Sequence, residues 1–197
     1  MAHTDKTVLA SANSGKLREL CRLFFGTTVH VIPQSELGVA DAEETGETFA
    51  ENALLKARNA AARAGLPAIA DDSGLEVDAL DGAPGIHSAR YAGEHATDAQ
   101  NIHKLLAVLR DVPPAARGAR FVCVVAYVDG AEGAPILCTG TWRGRIAVAP
   151  RGDGGFGYDP VFFVPETRCT AAELDPETKD RMSHRGQALR ALLAQLT

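Results

Sequence analysis

Residues Ala68–Leu75 read AIADDSGL, and the reading of this stretch organises the rest of the chain. Ala68, Ile69 and Ala70 suit a buried strand, which gives way abruptly to two adjacent aspartates, Asp71 and Asp72. Ser73 and Gly74 follow, residues that favour a turn through local hydrogen bonds and a permissive backbone. The expectation is a strand whose carboxyl end carries the aspartates, where open α/β sheets bind ligands. Strand alternation sends the two side chains to opposite sides, so at most one need face a ligand. Adjacent carboxylates also disfavour each other's charge unless a cation or a proton lies between them. Taken alone, the stretch reads at least as well as an ordinary strand running into an Asp-Ser-Gly turn.

On the N-terminal side, residues 7–10 (TVLA) read as a first strand, followed by Ser11, Ala12, Asn13, Ser14, Gly15 and Lys16. An amphipathic helix comes next, with Leu17, Leu20, Leu23 and Phe24 on one face. Asn13 or Ser14 suits its N-cap. The free N–H groups of a helix start attract anions, and Lys16 adds a point charge. This is not a Walker A loop, because Ala10 and Leu17 stand where that pattern needs glycine and Ser or Thr. A second strand over residues 29–32 leads to the acidic loop bearing Glu43 and Glu44. Thr48 and Glu51 then form a capping box for a long helix ending at Gly65. That helix carries Lys56.

On the C-terminal side, residues 76–80 suit a short strand or hairpin arm, and Thr97 with Gln100 caps a third helix. Phe121–Val128 is nearly continuous in apolar residues, as in a strand buried on both faces. Residues 136–148 read as its antiparallel neighbour. Residues 150–160 (PRGDGGFGYDP) hold four glycines around Phe156, with Tyr158 and Asp159 close behind. No helix or strand forms from such a sequence, whereas an aromatic ring on a glycine loop makes a platform for stacking a base. Near the end, Lys179 precedes a helix capped by Ser183, with His184 and Arg185 in its first turn. Cations there oppose the helix dipole, a cost that is offset if they hold an anion or a base edge.

Composition excludes several classes. At 46% apolar and 23% charged, the 197 residues suit an ordinary globular chain with a buried core. A net charge of −5, with basic residues dispersed among acidic ones, argues against binding a nucleic-acid backbone. The cysteines 21, 123, 138 and 169 form no CxxC pair, which argues against a zinc site and for a reducing, cytoplasmic setting. No apolar run approaches the roughly 20 residues of a membrane span. The reading is one domain over residues 1–197.

Together these features supply parts for holding phosphate, a metal, a base and a base edge, as a nucleoside triphosphate site needs. The blocks SANSGK (11–16), EETGETFAENALLKAR (43–58), IADDSG (69–74), GAPGIHSARY (82–91), GGFGYDPVF (154–162) and SHRGQAL (183–189) resemble, in this order, the Ham1/RdgB family. These are inosine/xanthosine triphosphate pyrophosphatases. The match spans nearly the whole chain, with small departures at Ser11-Ala12 and His87, where many members have Thr-Gly and tyrosine. The resemblance implies an α/β fold in which a long mixed central β-sheet is flanked by helices in two lobes, with an active-site cleft between them. It implies a homodimer and magnesium-dependent hydrolysis of ITP, dITP and XTP to monophosphate and pyrophosphate. By the same resemblance Asp72 is the catalytic base and a metal ligand, and the second ligand lies on the glutamate loop, aligning best with Glu43 and next with its neighbour Glu44. Ser73 and Lys56 contact substrate, and Ser11, Ala12, Asn13, Ser14, Gly15 and Lys16 hold the triphosphate. Phe156, Gly157, Tyr158, Asp159, Lys179, His184 and Arg185 form the base-binding set. Competing readings are a Maf-like pyrophosphatase for other modified nucleotides and a nucleotide-binding regulatory module without turnover.

Overall fold

The computed structural model describes residues 6–196. Strand β1 (Lys6–Ala10) and helix α1 (Ser14–Phe24) are followed by β2 (His30–Pro33), α2 (Phe49–Ala64) and β3 (Ala68–Val77). Then come α3 (Asp98–Val108), β4 (Gly118–Val128), β5 (Ile136–Ile146), β6 (Phe162–Val164), β7 (Cys169–Thr170), α4 (Pro176–Met182) and α5 (His184–Leu196). Among the described residues the strands form one sheet of seven, in the order β2-β1-β3-β4-β5-β6-β7. It is mixed: β1 runs parallel to β2 and β3, whereas β6 is antiparallel to β5 and β7.

Local chemistry accounts for most boundaries. Asn13 caps α1 by accepting the Lys16 N–H at 3.0 Å. Reciprocal capping boxes start α2 (Thr48 with Glu51) and α3 (Thr97 with Gln100), and Gly65 ends α2 at φ 66°, a left-handed conformation. Helix α4 opens on Asp175 as N-cap with Pro176 at its first position, a start signal the sequence reading passed over.

One expectation is corrected. Strand β3, ten residues long, does not end at the aspartates; it continues through Ser73 and Gly74 to Val77. The separate arm expected over residues 76–80 is the end of this strand followed by a 3-10 turn at Asp78–Leu80. Turn propensity is local, and here sheet pairing overrides it. Pairing with β1 nevertheless stops at Ala10 opposite Ala70. Asp71 and Asp72 therefore lie just beyond the carboxyl end of β1, where the Ser11–Lys16 loop departs.

The chain divides into two compact units. One takes its described residues from the segment up to Asp72, from Cys123–Gly140 and from Arg185 onward; the other comprises Ser73–Val122 and Thr141–His184. The first packs Leu9, Leu20, Phe24, Ile69, Val125, Leu189 and Leu192 into its core. The second packs Leu75, Leu105, Leu109, Phe121, Trp142 and Phe162.

Candidate active site

In the first unit, alternation along β3 separates the aspartates. Asp71 is buried and faces two cations, Lys16 Nζ at 3.2 Å and Arg185 Nε at 3.4 Å. Asp72 faces Lys56, whose Nζ lies 2.9 Å from Asp72 Oδ1 and also 2.9 Å from Glu44 Oε1. Lys16 lies 3.9 Å from Asp72 as well. Arg185, 2% exposed, makes a further ion pair with buried Glu19 of α1. Charges therefore alternate along the series Glu19, Arg185, Asp71, Lys16, Asp72, Lys56, Glu44.

Position in this series sets the protonation of each group. Burial works against the charge on Asp71, but Lys16, Arg185 and Lys56 outweigh it and hold its carboxyl well below the usual carboxylate range. At Asp72 the balance reverses: burial is the largest influence and raises its pKa, against the pull of Lys56 and Lys16. Burial also opposes the charge on Lys56, yet Asp72, Asp71 and Glu44 together keep its pKa above the ordinary lysine value. The Cys123 thiol, buried 3.9 Å from Asp71, is pushed up to about 12 by burial and stays neutral. Of the two aspartates, Asp72 is thus the one poised to exchange a proton. Asp71 is held as a permanent anion.

The carboxylates sharing Lys56 are Asp72 and Glu44. Glu43 and Glu44 are both exposed, and among the described residues it is Glu44, not Glu43, that pairs with Lys56. Glu44 and Asp72 offer hard oxygens converging on one small volume that already accommodates a positive charge, a donor set that fits a hard divalent cation. Among the described residues no group of three or more His, Cys, Asp or Glu is placed to hold a metal. Magnesium does not require one, since one or two carboxylates and its own waters suffice.

The second unit holds the aromatic loop. Phe156 is half-buried, and the buried Lys179 Nζ sits 5.2 Å from its ring centroid. Lys179 is paired with buried Asp159 at 2.5 Å, and the second use of Asp159 Oδ2 is to accept the Phe156 N–H at 2.8 Å. The cation thus lies against an aromatic face, which attracts it and firms the platform. Tyr158 is buried, and its hydroxyl donates to the Ser88 carbonyl at 2.8 Å. Its side chain is therefore an anchor, not a second exposed stacking ring. His184, also buried, stacks on Phe121 with centroids 4.7 Å apart and planes 13° from parallel.

The structure thus brings Lys16, Lys56 and Asp72 together in one unit, and Phe156, Asp159 and Lys179 together in the other. Ser11 is buried with its Oγ accepting the Asn13 N–H at 3.3 Å, Gly15 is buried, and Ala12, Asn13 and Ser14 are exposed at the start of α1. Ser73 is half-buried immediately after Asp72. Arg185 sits among carboxylates of the first unit, and the sequence reading missed its partner Glu19.

The profile of the Ham1 family matches residues 7–195. The chain is 60% identical over 190 residues to the dITP/XTP pyrophosphatase of Salmonella typhimurium, covering 96% of each chain. Two solved structures align over nearly their whole length. A HAM1 protein from Coxiella burnetii has a TM-score of 0.89 and 53% identity, covering 97% of this chain and 98% of that one. The Staphylococcus aureus Ham1 protein has a TM-score of 0.85 and 46% identity, covering 97% of both. Agreement of profile, sequence and fold over almost every residue shows that the chain belongs to the Ham1 family.

Proposed function

We propose that this protein hydrolyses deaminated purine nucleoside triphosphates, ITP, dITP and XTP, to the monophosphate and pyrophosphate. Such an activity removes these nucleotides before polymerases use them. The observation that carries the reading is Asp72, a buried carboxylate with a raised pKa set between two lysines at 2.9 and 3.9 Å. A module that only binds nucleotide needs cations for phosphate and has no use for a poised base beside them. The names of the Ham1 relatives, dITP/XTP pyrophosphatase, supply the substrate class.

In this reading Asp72 orients a water and accepts its proton as the water oxygen bonds to the α-phosphorus and the α–β P–O bond breaks. Bond cleavage releases pyrophosphate, and no protein nucleophile is needed. Lys16 and Lys56 offset the growing charge on phosphate oxygens, and the Ser11–Lys16 turn presents the N–H groups of the α1 start. Asp71 keeps Lys16 in place. Magnesium, held by Glu44 and Asp72, would supply Lewis-acid neutralisation of the phosphates. Phe156 stacks the base over Lys179, with Gly157, Tyr158 and Asp159 shaping the loop beneath it. His184 and the backbone N–H groups of the loop supply donors for a 6-keto group, whereas Arg185, expected among them, is committed to Glu19 and Asp71. Adenine carries a 6-amino donor instead, and buried donors facing a donor penalise ATP strongly. Guanine shares the 6-keto group, so GTP is rejected at the 2-position. The working form is proposed to be a homodimer in the cytoplasm; no helix of the described residues is long and apolar enough to cross a membrane.

Product identity tests this directly. Phosphorus NMR of an ITP digest should show IMP and pyrophosphate appearing together. IDP with inorganic phosphate as the first products would reject the assigned bond.

A further inference from the structure

The GGFG stretch is tied internally through Asp159, whose Oδ2 accepts the Phe156 N–H at 2.8 Å and whose N–H donates to the Phe156 carbonyl at 3.2 Å, but neither bond holds Gly157. Gly155 and Gly157 adopt φ of +73° and +59°, and glycines lose more conformational freedom on ordering than other residues. Contacts from outside the loop's tip, together with the two Asp159 bonds, fix the direction in which Phe156 presents its ring. Below it lie the Asp159–Lys179 pair, the Tyr158 hydroxyl on Ser88 and the Gly154 N–H, which donates to the Ala172 carbonyl at 3.0 Å. Another comes from the exposed side. Asp98 Oδ2 accepts the Gly157 N–H at 2.6 Å, from a residue 59 positions away in sequence.

Asp98 is the first residue of α3, and the Thr97–Gln100 capping box fixes the backbone that carries it. A short bond to a carboxylate is charge-assisted and stronger than a neutral one. We propose that Asp98 is a positioning residue for the base platform: by accepting the Gly157 N–H it fixes the loop that carries Phe156. The inference rests on the proposed role of Phe156 in stacking the base. The bland alternative is that Asp98 only complements the α3 dipole, as acidic residues in a first helical turn do.

Three variants separate the two. Asp98→Ala removes the acceptor. Asp98→Asn keeps a neutral acceptor at the same reach. Asp98→Glu keeps the charge in the helix's first turn but shifts the carboxylate by one methylene. Platform positioning predicts that Asp98→Ala and Asp98→Glu raise KM for ITP by about 5- to 20-fold, with kcat within about twofold, and that Asp98→Asn falls between them and the parent. Hydrogen exchange at the Gly157 amide, read by NMR, should speed up in Asp98→Ala. An unchanged KM in Asp98→Ala, full rescue by Asp98→Glu, or unaltered Gly157 exchange overturns the proposal. If the parent protein does not hydrolyse ITP, the functional reading fails on that result alone, and Gly157 exchange by itself decides whether Asp98 fixes the loop.

Discussion

Asp71 and Asp72 are neighbours in one strand, yet neutralising each should move stability in different directions. Asp71 is ionised in the fold far below the usual carboxylate range because Lys16 and Arg185 outweigh its burial. A depressed folded pKa contributes stability that is present above the unfolded value and lost as pH falls through the folded one. Asp71→Asn removes that contribution at every pH and takes one carboxylate from each of two buried cations, Lys16, which keeps Asp72 at 3.9 Å, and Arg185, which keeps Glu19. Breaking a buried pair by deleting one partner costs about 3–5 kcal/mol. At about 2–4 °C per kcal/mol for a chain of this size, Tm should fall by about 6–20 °C. Asp72 has the opposite sign. Its folded pKa is raised, so its contribution is complete below the unfolded value and is lost as pH rises through the folded one. At neutral pH its ionised form is a net cost, which Asp72→Asn relieves. That variant should melt at or above the parent's Tm while its kcat falls by about 100-fold or more, the range for losing a general base. Thermal melts at pH 7.5, paired with pyrophosphate release, read both effects. Equal destabilisation by the two variants, or a larger loss in Asp72→Asn, would refute the electrostatic assignment.

Glu44→Gln should raise the magnesium concentration needed for half-maximal rate, whereas Glu43→Gln should leave it unchanged; a metal titration with the reverse order would return the ligand to Glu43. Phe156→Ala should raise KM for ITP through lost stacking, worth about 1–3 kcal/mol, with little change in Tm because the ring is half-buried. In a pH profile of kcat/KM, activity should fall on the acid side through a pKa above the ordinary carboxylate value of about 3.9, since the ionised Asp72 is the working form and its pKa is raised. No alkaline loss from Lys56 is expected below its ordinary value of about 10.4, because its pKa is raised as well; an acid limb at or below pH 3.9 would contradict the first half of this.

Signals confined to a few residues were legible in the sequence. The capping pairs Thr48–Glu51 and Thr97–Gln100, the Asn13 cap and the glycine loop around Phe156 each carry their own chemistry. So did the separation of Asp71 from Asp72, since it follows from strand alternation alone. What the sequence could not show depends on distant partners. Glu19 sits among leucines of α1, and nothing local says that it is buried; its partner Arg185 lies 166 residues on. That Glu44 and not Glu43 pairs with Lys56 depends on where α2 places the lysine, not on the acidic loop itself. Ser73-Gly74 carried a real turn preference that sheet pairing overrode. Helix α4, by contrast, carries its own local signal, Asp175 as N-cap with Pro176 at the first position.

The central claim is that Asp72 and its lysines serve a deaminated purine triphosphate. Pyrophosphate release from ITP, XTP, dITP, GTP and ATP at equal concentration, with and without magnesium, tests it most directly. The account predicts magnesium-dependent release confined largely to the first three. Comparable release from ATP or GTP, or no release from any of them while nucleotide still binds, would contradict it.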